Sequence, residues 1–151
     1  MTFDVTFTVH DMPRPQGSKR HVGNGVLVES GGEQLRSWRE ACKQAARDAL
    51  PDAHTPHDGP VKVHATFYLP RPQSHHRTGL NSHLLRDRAP AYPHRTPDLD
   101  KLLRSLLDSC TAAGVWTDDA RVVRISTSKQ YCDHTILAAP GVTVRVHEVN
   151  P

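Results

Sequence analysis

The chain has 151 residues, of which 23% are charged and 36% apolar, and its formal net charge is +3. It is long enough to bury one core without disulfide or metal staples, and so mild a charge does not by itself establish a nucleic-acid partner. Apolar stretches of only a few residues exclude a bilayer-spanning helix, and Met1–Phe7 lacks the basic and apolar regions of a signal peptide, so a cytoplasmic protein is expected.

Phe3–Val9 alternates apolar and polar residues at period two, the signature of a half-buried strand. Met12–Arg20 reads as a loop, because Pro13 and Pro15 exclude regular structure. Val22–Val28 reads as a short hairpin turning at Gly23-Asn24-Gly25. Over Gln34–Leu50, Leu35, Trp38, Cys42, Ala45, Ala46 and Ala49 recur at helical spacing between charged positions, and Pro51 ends the helix. Val61, Val63, Ala65, Phe67 and Leu69 alternate as a second strand, stopped by Pro70. Residues 70–97 show no periodicity and are rich in Pro, Arg, His and Ser; a loop this long in a compact domain is either functional or disordered. The clearest helix follows. Leu99, Leu102, Leu103, Leu106, Leu107 and Cys110 form an unbroken stripe, and Gly114 supplies the stop. A strand is expected over roughly 119–131, and Val142, Val144 and Val146 alternate as the last one. This order predicts one α+β or mixed α/β domain over residues 1–151, without internal repeats. Cys42, Cys110 and Cys132 are odd in number and widely spaced, which reads as reduced thiols rather than a disulfide framework or a zinc site.

Charge is unevenly placed along this order. Residues 70–97 carry five Arg against one Asp, with His75, His76, His83 and His94 besides, whereas residues 98–119 carry five Asp against Lys101 and Arg104. The plainer reading is a solvated loop followed by a solvated helix face. The acids nonetheless fall into two pairs, Asp98 and Asp100 at the helix entrance and Asp118 and Asp119 beyond its end. Oxygen ligands set among cations are what Mg2+ and a phosphodiester require, which points to a metal-dependent nuclease.

Each residue also has an ordinary explanation. Asp98 suits a helix N-cap, worth about 1 kcal/mol. Capping does not account for Asp100 inside the first turn, although a cap side chain can fold back and converge with it. Arg104 stands four residues after Asp100, so it is either half of an i,i+4 ion pair or a cation facing a phosphate. If Asp118 and Asp119 open a strand, their side chains face opposite sides, and at most one aims at a shared site while the other forms a turn. Three carboxylates brought together repel one another unless a divalent ion sits among them. Asp108, further along the polar face, reads as ordinary helix surface. The eleven histidines show neither HExxH nor zinc-type spacing, and Gly17-Ser18-Lys19-Arg20 matches no phosphate-loop or dinucleotide fingerprint.

The run Pro97-Asp98-Leu99-Asp100-Lys101-Leu102-Leu103-Arg104, continued by Gly114-Val115-Trp116-Thr117-Asp118-Asp119 and by Ser128-Lys129-Gln130-Tyr131, resembles the RusA family of Holliday junction resolvases. Pro13–Arg20 resembles the N-terminal loop of its phage-type members, and the resemblance spans nearly the whole chain. It implies a small mixed β-sheet flanked by two main helices, and a homodimer that cuts two strands of like polarity in four-way junction DNA with Mg2+ or Mn2+. It also implies 5′-phosphate and 3′-hydroxyl products and a bacterial or phage-infected host. The family's metal-binding aspartates fall on Asp98, Asp100 and Asp119. Its catalytic lysine falls on Arg104, which does not deprotonate and serves only as an electrostatic stabiliser or phosphate clamp. Its usual Asn is Lys101. Because metal-activated water is the nucleophile, these departures leave the chemistry available. Lys19, Arg20, Lys101, Arg104 and Lys129 are the expected DNA contacts, with the 70–97 loop along the backbone. The rival readings are a branched-DNA or flap nuclease, and a junction-binding protein that no longer cleaves.

Overall fold

The computed structural model describes residues 2–151 apart from 18, 22, 24, 26, 30, 31 and 133–136; the side chains of residues 19–21 and 27–29 also lie outside the description. In chain order the elements are β1 (Asp4–Val9), β2 (Lys19–His21), β3 (Leu27–Glu29), α1 (Gly32–Ala49), β4 (Val61–Leu69), α2 (Leu99–Ala113), β5 (Val122–Tyr131) and β6 (Gly141–Glu148). Four strands form one sheet in the order β1-β6-β4-β5, and β2 pairs with β3 as a separate hairpin. β6 runs antiparallel to β1 and β4, whereas β5 lies parallel to β4. Parallel neighbours need a crossover, and α2 supplies it. The result is the expected α+β fold, a mixed sheet with two main helices.

Period-two alternation decides the layers. Val5, Phe7 and Val9 of β1, Val61, Val63, Ala65 and Phe67 of β4, and Val142, Val144 and Val146 of β6 are buried in one core. Leu35, Trp38, Cys42 and Ala46 of α1 and Leu102, Leu106 and Cys110 of α2 meet them there. The buried Trp38 indole donates to Ser105 Oγ at 3.2 Å, and Ser105 Oγ also lies 2.9 Å from the Arg14 carbonyl oxygen it can donate to. With Gln16 N–H donating to the Lys101 carbonyl at 3.0 Å, this lays the Met12–Gly17 loop along the start of α2. Gly114 ends α2 in the left-handed region, φ 80°, with its N–H on the Cys110 and Thr111 carbonyls, as its position predicted.

Several boundaries differ from expectation. The hairpin pairs Lys19–His21 with Leu27–Glu29, so its first strand begins inside the stretch assigned to loop; the intervening Val22, Asn24 and Val26 lie outside the described residues. β5 begins at Val122 rather than 119, because Asp119–Arg121 forms a 3-10 turn. The 70–97 loop contains short 3-10 turns at Gln73–His75 and Gly79–Asn81 and is bonded to itself. Arg77 N–H donates to Leu84, Arg86 N–H donates to His75, and the Arg77 guanidinium pairs with Asp87 at 2.9 Å. Among the described residues no helix is long and apolar enough to cross a membrane. Among the described residues no disulfide is formed, and Cys42 and Cys110 are buried.

Candidate active site

The helix layer stops short of β5. By register Ile125, Thr127 and Lys129 share the face of Val63, Ala65 and Phe67, yet Ile125 is 44% exposed where its neighbour Val63 is fully buried. Both stretches that carry the candidate carboxylates border this open shelf. Asp98 and Asp100 lie at the start of α2, and Asp119 lies in the turn that feeds the first residue of β5.

Lys129 joins the first stretch to the shelf. Its ammonium donates to the carbonyl oxygens of Arg95 at 2.6 Å and Pro97 at 2.8 Å, immediately before Asp98. The side chain proposed from sequence as a DNA contact is therefore engaged in holding the chain that presents Asp98. Asp98 occupies the N-cap position with extended backbone, φ −70° and ψ 138°, but makes no side-chain capping bond. The capping explanation fails for its carboxylate. Only its carbonyl works in the helix, accepting the amides of Lys101 and Leu102, each at 3.1 Å. Asp100 pairs with Lys101, Nζ to Oδ2 3.7 Å, instead of forming the i,i+4 pair with Arg104. That contact is exposed and contributes little to stability. Arg104 is exposed and forms no ion pair among the described residues, leaving its guanidinium available to an anion.

The second stretch does not follow the strand geometry read from sequence. Asp118 caps the 3-10 turn, its Oδ1 accepting the Ala120 amide at 2.7 Å, so of the pair Asp119 is the one spared capping duty. Although Asp119 is exposed, partial desolvation, and then the carboxylates of Asp118 and Asp108, raise its carboxyl above the ordinary value. Asp108 is thus more than ordinary helix surface: it is half-buried, and its Oδ2 accepts from Gln16 Nε2 at 2.7 Å. Sequence reasoning also missed Asp58. Its Oδ1 accepts from Thr117 Oγ1 at 2.7 Å and Arg121 Nε at 3.0 Å, so one carboxylate grips the chain on both sides of Asp118-Asp119. A backbone bridge between His57 and Trp116 reinforces it. No spacing in the chain marks Asp58, which lies 63 residues before Arg121.

Of the other expected DNA contacts, the side chains of Lys19 and Arg20 lie outside the described residues. Part of the basic loop is spent on its own architecture: Arg71 donates to the Pro90 carbonyl, Arg77 pairs with Asp87, and Arg86 donates to the Ser74 carbonyl.

Asp98, Asp100 and Asp119 offer only carboxylate oxygen, the donor type a hard divalent ion prefers. Among the described residues no three His, Cys, Asp or Glu side chains are gathered closely enough to hold a metal ion. A shared ion would have to draw these side chains together as it bound. A family model described as Endodeoxyribonuclease RusA matches residues 10–147, a span that includes all three aspartates. No curated protein sequence matches the chain significantly. With that match covering nearly its whole length, the chain belongs to the RusA family of endodeoxyribonucleases.

Proposed function

We propose that the protein is a single-domain, Mg2+-dependent endonuclease that resolves Holliday junctions by paired symmetric nicks, leaving 5′-phosphate and 3′-hydroxyl ends. The observation that carries this reading is the family match combined with a helix start and a turn, both bordering β5, that present Asp98, Asp100 and Asp119 beside unpaired cationic charge. A divalent ion bound by these carboxylates, Mg2+ or Mn2+, would supply an activated water and neutralise charge on the scissile phosphate. Arg104 clamps the phosphate and stabilises the charge that develops on it, and Lys101, adjacent to Asp100, adds a second cation. Lys129 and Asp58 keep the two aspartate-bearing stretches in place. A two-fold symmetric homodimer sets one such site on each of two symmetric strands. Lys19, Arg20 and the exposed cations of the 70–97 loop hold backbone phosphates, which makes affinity salt-sensitive.

The test is a synthetic four-way junction incubated with Mg2+, with a chelator, and with Asp100→Asn protein. Cutting is expected only with metal and intact Asp100; undiminished cutting by the variant removes the metal role. Flap and duplex substrates run in parallel separate junction resolution from another branched-DNA specificity. Junction binding without nicks in either Mg2+ or Mn2+ identifies a protein that only binds.

A further inference from the structure

Three hollows lie in a row across the loop that leads into Asp98, and the proposed chemistry leaves the middle one unused. This middle cavity, of about 570 Å3, is walled by Leu69, Tyr131 and several prolines, Pro93 and Pro97 among them. On one side it shares Arg14, Thr96 and Pro97 with a cavity of about 420 Å3 that reaches Asp98 and Lys101. On the other it shares His75, His94 and Arg95 with a hollow of about 660 Å3, to which Arg86 and Arg88 add their charge. No carboxylate is among the described residues lining the middle cavity or the basic hollow.

The wall is built in advance. The Arg71 guanidinium lies 4.1 Å from the centre of the Tyr131 ring, and His75 meets that ring edge-on at 5.7 Å. Arg71 is itself fixed by its bond to the Pro90 carbonyl. An apolar cavity between a cationic hollow and a cleft that carries Arg14 and Lys101 complements a nucleotide in a strand, an apolar ring flanked by phosphates.

We propose that the middle cavity is a nucleobase pocket. One base of the strand being cut leaves the stack and enters it, with one neighbouring phosphate against Arg88 and Arg95 and the other against Arg14 and Lys101, next to Asp98. The proposal rests on the nuclease reading above. The cavity falls within the roughly 300–1,000 Å3 of small-molecule sites, ample for a purine or a pyrimidine. Unstacking costs least where pairing is already interrupted, as at a junction crossover.

The test uses 2-aminopurine, a base whose fluorescence is quenched by stacking, placed in turn at positions around the crossover of a synthetic junction. The full-length protein is added without divalent ion, and binding is followed separately by gel shift. One position is expected to brighten on binding and to be shielded from acrylamide. His94→Trp fills the cavity mouth; it should abolish the brightening and weaken junction binding about fivefold, the weight of one stacked base. His94→Ala should keep the brightening. Brightening that survives His94→Trp, or that acrylamide quenches freely, reports junction distortion and overturns the pocket. A junction that binds with no brightening anywhere overturns it too, yet leaves the nuclease reading standing. Failure of the gel shift itself overturns both. Thermal melting checks that the variants fold, and the wild-type quenching result decides the matter without them.

Discussion

Lys129→Met separates holding the site together from holding DNA. The Lys129 ammonium donates to two carbonyl oxygens, those of Arg95 and Pro97. Hydrogen bonds from a charged group are worth about 1.5–3 kcal/mol each. The bond to Arg95 is exposed, so water replaces most of it, and the partly buried bond to Pro97 sets the scale at about 2 kcal/mol. The loss falls on the turn where the Asp98 carbonyl accepts the amides of Lys101 and Leu102. Hydrogen exchange at those two amides should therefore quicken by about thirtyfold, since each 1.4 kcal/mol is a factor of ten. In junction cleavage the expected loss is in kcat, because Asp98 is no longer held, with junction affinity kept. Had Lys129 contacted a phosphate instead, affinity would fall and the slope of log affinity against log salt would shrink by about one. Unchanged exchange at Lys101 and Leu102, or a reduced salt slope, refutes the tether.

Asp58→Asn is expected to lower cleavage with junction binding retained, since the turn that carries Asp119 loses the charge paired with Arg121 and is held only by the weaker neutral acceptor; cleavage assays beside gel shifts check this. Hydrogen bonds from Thr117 and then Arg121 hold the Asp58 carboxyl below its ordinary value of 3.8. A lowered carboxyl stabilises the fold fully above the ordinary value and stops doing so as pH falls through the lowered one. The stability gap between wild type and Asp58→Asn should therefore narrow below that pH in acid melts. Gly141→Ala drives a Cβ into the Val9 carbonyl oxygen and to 2.9 Å from the Leu137 side chain. Such overpacking costs about 1–3 kcal/mol, and calorimetry should show the melting temperature lowered by about 3–10 °C. Burial raises the thiol of Cys42 and pushes that of Cys110 up to about 12, so a thiol reagent should label Cys132 in the folded protein well ahead of either.

The parts of this fold written in local periodicity were legible. The Leu99–Cys110 stripe, the Gly114 stop and the alternation over Val61–Leu69 each depend on residues a few positions apart, and each sits where its pattern predicts. The failures lie where a local rule met a competing bond. Residues 119–121 read as strand because Val122, Ile125 and the small polar residues between them suggest one over roughly 119–131. The Asp118 carboxylate captures the Ala120 amide first and winds the chain into a 3-10 turn. For Asp98 the ordinary explanation, a cap, follows from its place before a helix. Its carboxylate makes no capping bond, and the Asp98 carbonyl accepts the amides of Lys101 and Leu102 instead. Sheet order was beyond reach, since the parallel pairing of β4 with β5 is a contact across the whole 70–97 loop and α2.

The division between what was seen and what was missed follows from how each group acts. A residue that must meet a metal or a phosphate is constrained in type, and two such residues on one turn are constrained in spacing, so Asp98 and Asp100, the proposed metal ligands, leave a pattern that sequence reasoning can find. A residue that holds such a turn is constrained only in reach. Lys129 arrives at Pro97 from 32 residues away and Asp58 arrives at Arg121 from 63, and any strand or loop within one side-chain length would serve as well. Positioning groups therefore leave no motif, although geometry tolerance at a reacting phosphate is small. It follows that substitutions at Lys129 and Asp58 should alter rate at nearly constant junction affinity, whereas substitutions among the exposed cations of the 70–97 loop should do the reverse.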